Sequence, residues 1–167
     1  HYRGDEMDET RNVLVESARI ARGQIKNLRE LHVGDFDALI IPGGFGVAKN
    51  LSDFAISGPL CSVQGDVLNA TQSFAKAGKP VGLMCIAPAL AAKIFGQGVQ
   101  CTIGSDHETA TALQQMGALH VESTVEDIVV DQTHKLVTTP AYMLAGSISE
   151  AAAGINKLVD RVLEMVG

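Results

Sequence analysis

Gly78-Lys79-Pro80-Val81-Gly82-Leu83-Met84-Cys85-Ile86-Ala87-Pro88 runs from a turn through an apolar stretch to a second turn, and its reading decides the fold. Pro80 to Ile86 holds no charged residue on either face, as a strand buried on both sides of a parallel sheet must. A strand with one wet face would instead alternate apolar and polar residues. Ala87 to Phe95 then reads as a short helix with Pro88 in its first turn, where the missing N–H costs nothing. Phe36 to Pro42 is a second strand of the same kind, with Ala38, Leu39, Ile40 and Ile41 in succession.

Longer amphipathic stretches separate these runs. Glu9 or Thr10 is placed to cap a helix through about Arg22, with Val13, Leu14, Ala18 and Ala21 on one face and Gly23 as its stop. Ser62 to Ala77 is the next helix, and Glu108 to Met116 another, stopped by Gly117. Cys101 to Gly104 reads as a short strand and His120 to Val121 as a strand stub. Ile128 to Asp131 and Lys135 to Thr139 flank the polar turn Gln132 to His134 as a hairpin. Ser149 to Val166 closes the chain as a helix, with Ile155, Leu158, Val159, Val162, Leu163 and Val166 at helical spacing. Strands alternating with helices predict an α/β domain with a mainly parallel sheet. A doubly wound sheet normally begins with the strand that becomes central. This sequence opens with a polar stretch and a helix, so residues 1–167 are expected to form a single domain lacking its first βα unit.

Composition narrows the function. Thirteen Lys and Arg against nineteen Asp and Glu give a net charge of −6 on 167 residues that are 46% hydrophobic and 19% charged. This fits one globular core. The acidic balance, without any basic run, argues against nucleic acid and anionic membranes as partners. No apolar run has the length of a spanning helix, and the start is polar rather than a basic-then-apolar signal. The chain therefore reads as cytoplasmic, or as a mature form already imported. Cys61, Cys85 and Cys101 are an odd number with no C-x-x-C spacing, which disfavours a disulfide framework or a zinc site.

Two segments suggest chemistry. Pro42-Gly43-Gly44-Phe45-Gly46 follows the strand Phe36 to Pro42. Glycines there allow a sharp turn and leave N–H groups free to face an anion or a developing oxyanion. Neither the dinucleotide fingerprint nor a Gly-Lys-Ser/Thr phosphate loop is present, and a plain glycine turn without a ligand is the competing account. Cys85 ends the other apolar strand as a helix begins, which is the setting of a nucleophile elbow. The helix N-terminus favours a thiolate there, and the N–H of Ile86 points into the same space as those of Gly43 and Gly44. A cysteine at a strand end is also a common core residue. The coincidence of two such loops at carboxyl ends of parallel strands favours function, because open α/β sheets bind ligands there.

IIPGGFGVAKNLS (Ile40 to Ser52) paired with GKPVGLMCIAPALAAKIF (Gly78 to Phe95), together with ETRNVLVESARIARG (Glu9 to Gly23) and KLVTTPAYML (Lys135 to Leu144), resembles the bacterial enhancing-lycopene-biosynthesis, or sigma cross-reacting, family. That family sits in the class I glutamine amidotransferase-like superfamily, beside PfpI-type proteases and deglycases. The resemblance implies a flavodoxin-like three-layer sandwich, a homodimer, and a catalytic elbow cysteine matching Cys85. It also implies glutathione-independent conversion of glyoxal or a related small dicarbonyl to the hydroxy acid, in part deglycase-like. Family members carry an early acidic residue that contacts the cysteine and shuttles protons; no residue of this sequence matches it. Amidotransferases pair their cysteine with a late His-x-Glu, and PfpI-type proteases place His directly after it. Here Ile86 follows Cys85, which disfavours protease and glutaminase chemistry. His120-Val121-Glu122 spells His-x-Glu but comes early, just after a helix stop, and reads as surface or packing. His107 beside Glu108 reads as part of a helix start capped by Asp106.

The resulting expectation is thiolate attack by Cys85 on a dicarbonyl, with Gly43, Gly44 and Ile86 as oxyanion donors and no metal or organic cofactor required. The competing expectation is a non-catalytic stress or isoprenoid-biosynthesis regulator on the same scaffold. Arg11, Arg19 and Arg22 read as solvated, Cys61 and Cys101 as inert, and Tyr142 and Met143 as lining the cleft or a dimer contact.

Overall fold

The computed structural model describes residues 7–166. Its centre is the pair of apolar runs, which pair as parallel strands β1 (Leu39–Ile41) and β2 (Val81–Met84), with Ile40 opposite Gly82. The second strand pairs in parallel with β6 (Leu136–Thr139), and β5 (Val129–Asp131) closes that side antiparallel, giving the order β1-β2-β6-β5. The flavodoxin-like α/β reading, with a mainly parallel sheet, holds. The short strand and the stub pair with each other instead of joining that sheet, as β3 (Gln100–Cys101) and β4 (Leu119–His120). Beyond β3 the chain docks through a side chain: the Thr102 N–H donates to the Thr138 hydroxyl at 2.9 Å.

Helices cover both faces of the sheet, which is why its central strands carry no polar alternation. Ile41, Val81, Leu83 and Leu136 face one core with Phe74 of α3 (Gly65–Lys76), Ile94 of α4 (Ala91–Phe95) and Leu113 of α5 (His107–Gln115). On the other face Ile40, Met84 and Val137 meet Leu158 and Val162 of α6 (Ile148–Val166). Gly82 sets that approach, since a Cβ there would lie 2.7 Å from Leu158 Cδ2.

Several boundaries differ from the sequence reading. The first helix, α1 (Val13–Ile20), is capped by Asn12, whose side chain accepts from the N–H groups of Leu14 and Val15, and not by Glu9 or Thr10. None of its side chains is buried, so the expected face of Val13, Leu14, Ala18 and Ala21 is not a core face. The helix expected from Ser62 starts at Gly65, because Val63 is held in a bridge to Ser52 and the Gln64 side chain caps the Val67 N–H. A four-residue helix α2 (Phe54–Ser57) and a 3-10 turn, Gly58–Leu60, lie between the two residues of that bridge. Ala87 to Phe95 is helical throughout but opens as a 3-10 turn over Ala87–Leu90 before α4. Among the described residues, β1 pairs on one side only, leaving its other edge free.

Candidate functional site

Parallel strands bring their carboxyl ends to one edge of the sheet, and that edge gathers the residues singled out in the sequence. Cys85 follows β2, an interior strand, with φ at +59°, the left-handed conformation of a tight elbow. A non-glycine residue held there costs on the order of 1 kcal/mol or more, so surrounding contacts must hold it. Two do so. The Cys85 N–H donates to the Thr139 carbonyl at 3.0 Å on the neighbouring strand. From the other side Gly43 presses against the elbow: a Cβ at Gly43 would sit 2.6 Å from the Met84 carbonyl oxygen, 2.8 Å from Cys85 Cβ and 3.4 Å from the Ile86 nitrogen.

The glycine loop supplies donors without side chains. Gly43 and Gly44 both have positive φ, +92° and +84°. Among the described residues, the N–H groups of Gly43, Gly44 and Ile86 make no hydrogen bond, while the Gly44 carbonyl accepts from Val47 at 3.0 Å and starts a π-helical turn over Val47–Leu51. Unpaired backbone donors beside a half-buried thiol are the kind of group that can stabilise a negative oxygen forming on an atom bonded to that thiol. The structure thus brings Cys85, Ile86 and Gly43 together, with Gly44 next in the chain. The macrodipole expected behind Cys85 is short, because α4 has five residues and is preceded by a 3-10 turn. The backbone donors therefore carry the electrostatic argument.

The other cysteines are unsuited to chemistry. Burial pushes the Cys101 thiol up to about 12, and the negative charge of Asp131 acts in the same direction. Cys61 is also buried, and loss of solvent raises its pKa; its sulfur lies 3.7 Å from that of Met116. Among the described residues no histidine bonds to Cys85. His134 pairs with Asp131 at 2.8 Å in the hairpin turn, at the amino end of β6 and so at the opposite edge of the sheet. The His120 Nε2 accepts from the Ile103 N–H at 3.3 Å, and burial lowers its pKa while Glu122 opposes the shift. His107 opens α5 under an Asp106 cap, as expected. His107, His120 and Glu122 share a cleft of about 270 Å³ that does not include Cys85. A larger hollow of about 700 Å³ between α2 and α5, lined by Phe54, Ile56, Pro59 and Glu108, also leaves Cys85 out. Tyr142 and Met143 lie in a 3-10 turn just beyond β6, with Tyr142 exposed.

Sequence reasoning missed Thr139 and its neighbours. Gly104 is held against this edge, where a Cβ would lie 2.6 Å from Leu144 Cδ1, and its N–H donates to the Thr102 hydroxyl at 2.9 Å. The available signal was three threonines, Thr102, Thr138 and Thr139, inside otherwise apolar runs, where each hydroxyl requires a partner.

A flavodoxin-like sheet carrying a cysteine on a strand-end elbow defines a class I glutamine amidotransferase-like domain. Within that class the chain belongs to the DJ-1/PfpI family, whose sequence pattern matches residues 21–145. It is 46% identical over 177 residues to the human protein named glutamine amidotransferase-like class 1 domain-containing protein 3, mitochondrial, covering 100% of this chain and 66% of the relative. The chain thus spans just under two thirds of that relative's length. The crystal structure of an isoprenoid biosynthesis protein with an amidotransferase-like domain, from Ehrlichia chaffeensis, superposes with a TM-score of 0.89 at 33% identity, covering 100% of this chain and 76% of that one. Glyoxalase III from Candida albicans shares the fold, with a TM-score of 0.57 at 15% identity over 91% of this chain and 68% of its own. Among the described residues no helix is long and apolar enough to cross a membrane. With a relative named as mitochondrial, a plain cytoplasmic location is not confirmed.

Proposed function

We propose that the domain is the cysteine-bearing part of a glutathione-independent glyoxalase-type enzyme, acting on glyoxal or a related small dicarbonyl. The observation that carries this reading is the Cys85 elbow, strained at φ +59° and packed against Gly43, with the neighbouring N–H groups of Gly43 and Ile86 making no hydrogen bond among the described residues. The Cys85 thiolate adds to one aldehyde carbon, and the carbonyl electron pair moves onto oxygen, where the N–H groups of Gly43, Gly44 and Ile86 receive it. The hydrogen on that carbon leaves as a proton and is returned to the neighbouring carbon. This oxidises the first carbon to a thioester and reduces the second to an alcohol, so no external oxidant or metal enters the balance. Water then releases the hydroxy acid and the thiol. The proton carrier is the early carboxylate that the family resemblance implies, which no residue of this sequence matches. The same resemblance supports a homodimer, and the relative's name supports a mitochondrial over a cytoplasmic location.

The test is glycolate formation from glyoxal. The chain bearing an added N-terminal βα unit is expected to turn over glyoxal and to lose at least about a hundredfold on Cys85→Ala or Cys85→Ser. Unchanged turnover in either variant, or none with and without the added unit, removes the assignment. A second reading has its own observation: the Cys85 side chain bonds to no base among the described residues. On that reading the scaffold regulates isoprenoid output through a partner, in keeping with the name of the Ehrlichia relative, an isoprenoid biosynthesis protein. A specific partner retained after Cys85→Ala, together with glyoxal loss at the uncatalysed rate, favours it.

A further inference from the structure

Cys85 holds a backbone conformation that it does not favour, so something outside the elbow must supply the constraint. The bond from its N–H to the Thr139 carbonyl does so. Thr139 is itself fixed. It is fully buried at the end of β6, opposite Met84 in register, and its hydroxyl donates to the Asp127 carbonyl at 2.8 Å. A helix closes over it: α6 presents Gly154, where a Cβ would lie 2.7 Å from the Thr139 Oγ1 and still closer to the Val125 carbonyl. Past Thr139 the chain turns again at Ala141, buried with φ at +44°. Two strained turns thus stand side by side at the ends of adjacent strands, joined through the Thr139 carbonyl.

We infer that Thr139 is a positioning residue for Cys85: its hydroxyl anchors the end of β6 to the Asp127 carbonyl, and its carbonyl then fixes the cysteine elbow. The inference rests on the reading of Cys85 as the reactive group, while Thr139 touches no substrate. A side chain of the same shape without the hydroxyl keeps the packing and loses the anchor; serine keeps the anchor. The effect follows because the elbow conformation decides how the Cys85 sulfur is presented to a reagent, and because small displacements of a positioned reacting group cost large factors in turnover.

The test uses Thr139→Val and Thr139→Ser in the 167-residue chain, with urea midpoints recorded for each. The readout is the second-order rate of Cys85 alkylation by iodoacetamide, located by peptide mass spectrometry. In the chain that turns over glyoxal, kcat and KM are measured as well. Thr139→Val is expected to alkylate at least about fivefold more slowly, with kcat reduced and KM unchanged, and Thr139→Ser to stay within about twofold of the parent. Equal alkylation by Thr139→Val, or a Thr139→Ser rate as low as that of Thr139→Val, overturns the inference. If Thr139→Val lacks a cooperative urea transition, Thr139→Ala takes its place under the same thresholds. Alkylation needs no glyoxal turnover, so failure of the proposed enzyme activity and failure of the positioning role give different results.

Discussion

Gly43 has no tolerance for a side chain. Its φ of +92° disfavours any L-residue, and a methyl group there would meet the Met84 carbonyl oxygen at 2.6 Å and Cys85 Cβ at 2.8 Å. Both are held by the sheet, so neither can yield cheaply. Gly43→Ala is expected to lower stability by about 3 kcal/mol, read from urea unfolding, and to suppress turnover even where the variant folds. The three thiols are equally separable. In the native protein at pH 8, iodoacetamide is expected to label Cys85 and spare Cys61 and Cys101, whose burial raises their pKa values;. Labelling of Cys101 at a rate comparable with Cys85 would contradict this packing. Cys85 and the glycine pair were legible in the sequence because a polar-capable residue and a glycine cluster at the ends of apolar strands stand out. Thr139 was not, because its part is played by a main-chain carbonyl, which no side chain announces.

At the scale of elements, the hairpin of β5 and β6 is pinned by one carboxylate. Asp131 is buried, which alone would raise its pKa. The N–H of Gln100, the His134 ring and the His134 N–H all donate to it, and together they hold the carboxyl below its ordinary value. A group depressed in the folded state stabilises above its unfolded pKa, and that contribution is lost as pH falls through the folded value. Asp131→Asn is therefore expected to cost about 2 kcal/mol at pH 7, and the gap to the parent should narrow as pH falls below about 4, checked by urea titrations across that range. A gap constant with pH would show that the carboxylate charge plays no part. The hairpin was legible because two apolar runs flank Gln132 to His134. Exact starts were less so: Asn12 took the first cap because its side-chain oxygen reaches two N–H groups, and Val63 stayed extended because Ser52 pairs with it. The pairing of β3 with β4 was invisible, since two-residue strands carry no periodicity and the docking bond at Thr102 comes from Thr138.

For the whole molecule, stability is concentrated where helices cover both faces of β2 and β6. Leu83, Leu90, Leu113, Leu136 and Leu158 are fully buried there, each contributing on the order of 2 kcal/mol relative to exposure. The first helix has no such share. α1 buries none of its side chains, and Val13, Val15 and Ile20 all stand exposed, Ile20 at 90%. Its helical hydrogen bonds and the Asn12 cap are local, and a helix of eight residues is marginal on local terms alone;. Breaking α1 with Ala18→Pro should therefore leave the cooperative unfolding of the rest almost untouched, changing stability by less than about 1 kcal/mol. Hydrogen exchange on the intact chain gives the same contrast residue by residue: slow amides in β2, β6 and the buried side of α6, and fast ones throughout α1. An Ala18→Pro variant that lowers the urea midpoint sharply, or α1 amides as slow as those of β2, would mean that the apolar side of α1 is covered in solution.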